Sequence, residues 1–92
     1  MTNEELKKWI DTQEYDKYYQ DIECIGLLGY TKSFKTWENI KRLVDWNGKK
    51  VADLGCFHGY FSFKAAKLGT IVTGLDDNVA VLKTTQLINE LE

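Results

Sequence analysis

The chain has 92 residues and a formal net charge of −2, enough for one core that buries roughly 60–70% of the unfolded surface and too few for a second one. Its 43% hydrophobic and 28% charged residues, with 13% aromatics, exclude a disordered tail. No apolar run approaches the ~18–20 residues of a membrane span, and the acidic start Met1-Thr2-Asn3-Glu4-Glu5 is not a signal peptide.

Two cysteines, Cys24 and Cys56, are too few for a disulfide framework and point to a reducing, cytoplasmic setting. The charge is uneven. Residues 1–28 hold 3 basic and 7 acidic side chains, residues 29–67 hold 8 and 3, and residues 68–92 hold 1 and 4. The basic middle suits a polyanion such as nucleic acid, or simply solvated helix faces.

In chain order, Thr2-Asn3-Glu4-Glu5 fits a capping box, and Leu6, Trp9 and Ile10 form the apolar stripe of a first helix. Tyr15, Tyr18 and Tyr19 continue at helical spacing after a break near Asp11-Thr12, as packing aromatics or as a lid on a ligand. Ile22 to Tyr30, with Gly26 and Gly29, reads as a loop or short extended piece. Ser33 offers a cap for a helix through Trp37, Ile40 and Val44, which Asn47-Gly48 should end. The pattern then changes. Lys50 to Leu54 reads as a short buried strand, Gly55 to Gly59 as a tight turn, and Tyr60 to Leu68 as a helix stopped by Gly69. Thr70 to Leu75 reads as a second strand, followed by a helix over Val79 to Leu91 capped by Asp77 or Asn78. The class is therefore α/β: a helical lead-in over 1–48, then an incomplete βαβα unit with parallel strands over 49–92, in one compact domain.

The chemistry concentrates in Val51-Ala52-Asp53-Leu54-Gly55-Cys56-Phe57-His58-Gly59-Tyr60-Phe61-Ser62 and in Thr73-Gly74-Leu75-Asp76. A ligand crossing the carboxyl end of a strand must touch backbone, so the turn wants residues without bulk, which Gly55 and Gly59 supply. Asp53 places a carboxylate where a phosphate-binding fingerprint would have no charge, and it suits an ammonium group. Asp76, 23 positions on, could accept from two ribose hydroxyls or cap the next helix. The helix start at Gly59-Tyr60 could receive a carboxylate. Cys56 and His58 are two ligands at most and make no metal site. No G-x-G-x-x-G is present, which sets a dinucleotide fingerprint aside.

These residues resemble the first two motifs of the class I S-adenosylmethionine-dependent methyltransferases, which have a Rossmann-like fold. The resemblance covers residues 49–92. It implies S-adenosylmethionine as cofactor and Asp53, Gly55, Cys56, Phe57, His58, Gly59 and Asp76 as its binding residues, and it names no catalytic residue. Phe57 departs from the glycine that the family more often has in mid-turn, though related branches carry a larger residue there. Tyr18-Tyr19-Gln20-Asp21-Ile22-Glu23, then a helix, then Gly48-Lys49-Lys50 is similar in layout to methyltransferases related to the enzyme that carboxymethylates wobble uridine in transfer RNA. In such proteins a leading helical segment packs over the cofactor cleft.

Two strands fall short of that family's sheet and lack the segments that hold the methyl acceptor, whose identity the sequence leaves open. Two expectations follow. The chain is the N-terminal, cofactor-binding fragment of a methyltransferase, or it is a non-catalytic methyltransferase-like protein that completes its sheet with a partner chain or a second copy through the open strand edge.

Overall fold

A computed structural model describes all residues, 1–92. Helix α1 spans Asn3–Asp11 and opens on the expected capping box: Glu5 N donates to Thr2 Oγ1 at 3.1 Å, and Thr2 N donates to Glu5 Oε1 at 3.0 Å. A 3₁₀ turn follows at Glu23–Ile25, beside an isolated bridge between Ile22 and Leu27. Helix α2 is Ser33–Ile40, strand β1 Lys50–Leu54, helix α3 Tyr60–Lys67, strand β2 Ile71–Leu75 and helix α4 Val79–Leu91. The strands pair in parallel, Lys50 with Ile71 through Leu54 with Leu75, as a two-stranded sheet. The α/β class and the order of helices before strand, helix, strand and helix follow the sequence.

Three local expectations are corrected. Residues 13–21 form no helix, and Tyr15, Tyr18 and Tyr19 belong to an irregular strap. Ser33 is the first helical residue of α2, not its cap; Lys32 occupies the cap position at φ 53° without a capping bond. The helix also stops at Ile40, well before Asn47. There the chain folds back so that Trp46 packs on Trp37, ring centroids 5.3 Å apart, and its Nε1 donates to the Lys41 carbonyl at 2.7 Å. Aromatic packing ends this helix where a glycine signal was expected.

Only 18 of 92 residues are buried, so each buried contact carries much of the stability. Leu6 and Ile10 of α1, Ile22, Ile25 and Ile88 of α4 form one cluster; Trp37, Tyr60 and Ala65 form another between α2 and α3. Both clusters join the lead-in to residues beyond 49. The sheet is less covered than its sequence suggests. Val51, Asp53 and Val72 are half-buried, but Leu54 is 76% and Ile71 61% exposed. One face of the sheet is therefore open, and β1 is not the buried strand its apolar run implies.

Candidate functional site

The turn from Gly55 to Gly59 joins β1 to α3 and takes its shape from three left-handed residues: Gly55 at φ 70°, Phe57 at 52° and Gly59 at 85°. Only glycine adopts such angles without steric cost, so Phe57 holds strain of about 1–2 kcal/mol. Backbone and side-chain hydrogen bonds fix the loop. Cys56 N donates to the Leu75 carbonyl at 2.9 Å, Gly59 N to the Cys56 carbonyl at 2.9 Å, and Thr85 Oγ1 of α4 to the Phe57 carbonyl at 2.7 Å.

Asp53 and Asp76 stand at the carboxyl ends of the two paired strands and flank this turn. Asp76 accepts from Phe57 N and from Asn78 N, each at 3.0 Å, one per oxygen. Asn78 is the residue that caps α4, through Ala80 N and Val81 N. Asp53 Oδ2 accepts from Ser62 Oγ at 2.7 Å. A carboxylate has about four acceptor positions, so both aspartates keep capacity for an outside donor. A shallow surface bounded by Gly55, Leu75, Asp76 and Asp77 opens beside Asp76, and a Cβ on Gly55 would meet nothing within 4 Å; Asp53 lines a separate groove with Val51, Phe61 and Ser62. These free acceptor positions suit an outside hydrogen-bond donor such as a hydroxyl or an ammonium group.

The other residues of the turn face inward. Cys56 is buried, and burial, then the carboxylates of Asp53 and Asp76, push its thiol up, which keeps it protonated and unreactive. His58 is 1% exposed. Tyr15 gives its one proton to Thr84 Oγ1 at 2.9 Å, so its oxygen accepts from His58 Nε2 at 2.6 Å. That order assigns the imidazole proton to Nε2 and leaves Nδ1 buried without a partner. Burial holds the His58 pKa down from 6.5 to about 4, against a smaller upward pull from Asp76. His58 is thus a neutral anchor for the strap. Tyr15 and Tyr19 also lay their rings on Phe57, centroids 5.8 and 5.3 Å apart.

The start of α3 differs from expectation. Tyr60 N, the donor that was to receive a carboxylate, is taken by Gln20 Oε1 at 3.2 Å. Its neighbour Asp21 accepts from Gly29 N at 2.7 Å and from Phe34 N at 3.1 Å, and so caps α2 from twelve residues before that helix starts. Gln20, Asp21, Thr84 and Thr85 all hold the site without being legible as site residues, since their partners are distant in sequence. The only signal near them was the phrase Gln20-Asp21 in the lead-in.

Against known proteins, no family profile and no solved structure matches the chain. A tRNA U34 carboxymethyltransferase of Campylobacter hominis is 45% identical to it over 38 residues, which are 41% of this chain and 13% of that protein. The match therefore spans a small part of the relative's length, and it links this chain to a methyltransferase through that part alone.

Proposed function

We propose that residues 49–92 form the cofactor-binding start of an S-adenosylmethionine-dependent methyltransferase of class I, with a Rossmann-like arrangement. The observation that carries this reading is the pair of strand-end carboxylates, Asp53 and Asp76, on either side of a turn with left-handed Gly55 and Gly59. In this reading Asp76 accepts from the ribose hydroxyls, and Asp53 faces the ammonium of the methionine part. The backbone of Gly55 gives room for close approach, while Cys56, Phe57, His58 and Gly59 shape the wall. S-adenosylmethionine when bound would supply the methyl group. The acceptor is held by segments this chain does not contain; the relative's name makes a tRNA the leading candidate, and the basic excess of residues 29–67 suits one.

Calorimetric titration with S-adenosylhomocysteine tests the reading. Saturable binding is expected, weakened by about 1–3 kcal/mol in Asp76→Asn, which keeps one acceptor for the turn and loses the charge. No binding to the folded chain, or equal binding to the variant, would overturn it. A second reading, a methyltransferase-like chain that completes its sheet with another chain, is favoured by the bare edge of β1 and the exposed Leu54 and Ile71.

A further inference from the structure

Strand β1 is paired on one side only. Ile71 N donates to the Lys49 carbonyl at 2.8 Å, and backbone direction alternates along a strand. Lys50, Ala52 and Leu54 therefore turn their N–H and C=O groups to the free edge. An open groove of about 230 Å³ lies beside β1, lined by Trp37, Ile40, Trp46, Val51, Phe61 and Val72 among others. Unpaired backbone beside an apolar groove is a template for one more strand.

The charges along this edge select the strand. Lys49 precedes it and Asp53 lies near its end, with Val51 midway between them. Lys49 and Asp53 make no ion pair within the chain. Two such edges related by a two-fold axis run antiparallel, and the contact is self-complementary. With Val51 on the axis, Lys50 and Ala52 of one copy exchange backbone hydrogen bonds with Ala52 and Lys50 of the other. The register also sets each Lys49 opposite the Asp53 of the second copy, and directly opposed unlike charges stabilise an antiparallel pair. Every opposed pair keeps both residues on the same face of the sheet, as a continuous sheet requires.

We propose that a second copy of this chain docks on the β1 edge in this register, giving a four-stranded sheet of order β2-β1-β1-β2 with Val51 at its centre. The proposal rests on the reading that the chain completes its sheet with another chain; it does not require cofactor binding, although both draw on Asp53. Two strands alone make a marginal sheet, and a four-stranded one meets the usual minimum for independent stability.

Sedimentation equilibrium of the full chain over a wide concentration range tests this, with circular dichroism to confirm folding of each variant. A concentration-dependent dimer is expected. Ala52→Pro removes an N–H that β2 does not use, which an edge strand tolerates, and it should raise the dimer dissociation constant about tenfold or more. Lys49→Asp and Asp53→Lys should each be monomeric alone and should form a mixed dimer when combined, because the opposed charges are then restored in both pairs. A folded chain that stays monomeric at all concentrations would overturn the proposal and leave the reading beneath it only in the form of a different partner chain. A dimer indifferent to all three substitutions would overturn this interface and leave that reading standing.

Discussion

Phe57 and His58 sit side by side in the turn, and each holds a cost that its neighbours offset. Phe57 lies at φ 52° with its ring against Tyr15, Tyr19 and His58. Phe57→Ala removes those contacts and keeps the strain, whereas Phe57→Gly removes both. Urea denaturation should therefore find Phe57→Ala the less stable of the two, by about 1 kcal/mol; the reverse order would mean the backbone there is not left-handed. His58 adds a pH dependence. Its folded pKa of about 4 lies below the ordinary 6.5, so below 6.5 the unfolded chain takes up a proton that the folded chain refuses. This contribution is constant above pH 6.5, is lost as pH falls towards 4, and changes little below that. The slope is about 1.4 kcal/mol per pH unit and the total about 3 kcal/mol. Denaturation at pH 7, 5.5 and 4.5 should show it, and His58→Leu should flatten this part of the profile.

At the scale of elements, sequence signals and structure agree where the signal is local. The capping box before α1, Asn78 before α4, and the β-branched runs of β1 and β2 bounded by glycine all act within a few residues. The strand-end positions of Asp53 and Asp76 and the turn positions of Gly55 and Gly59 were legible for the same reason: strand, turn and helix follow one another along the chain. Where the deciding contact is distant, the sequence misleads. Ser33 looks like a cap, yet the Asp21 carboxylate caps α2 through Phe34 N, and Ser33 Oγ accepts from Asp21 N at 3.3 Å. The helical spacing of the tyrosines has no helix behind it because Tyr15 is fixed by His58 and Thr84, and Tyr18 Oη donates to Asp11 Oδ1 at 2.6 Å. These assignments predict an order of effects. Asp21→Ala should cost about 2–3 kcal/mol, since it leaves one buried and one part-buried backbone donor unpaired as well as losing a cap. Ser33→Ala should cost no more than about 1 kcal/mol. Chemical denaturation of the two variants compares them directly, and equal losses would return the capping role to Ser33.

The division of the molecule at residue 48 follows composition and motif, but the packing crosses it. Leu6 and Ile10 of α1 bury Ile88 of α4, and Trp9 Nε1 donates to Thr84 Oγ1 at 3.0 Å. Tyr15 reaches the same threonine and His58, and Gln20 caps α3. Residues 49–92 alone would expose this whole surface and leave the Tyr60 N–H and the His58 imidazole without their partners. A piece near 40 residues without disulfide or metal has too little core to stand by itself. The packing thus joins the lead-in to the motif region, and Tyr15 and Gln20 hold the candidate cofactor turn from within residues 1–48. Expressed alone, residues 49–92 should show no cooperative thermal transition, while the full chain should unfold in a single step seen alike by tryptophan fluorescence and by far-ultraviolet circular dichroism. Fluorescence samples both clusters, because Trp9 packs on the first and Trp37 and Trp46 belong to the second. A cooperative transition in the isolated piece would make the motif region self-sufficient and reduce the aromatic strap to a cover; two separate transitions in the full chain would split the clusters into independent units.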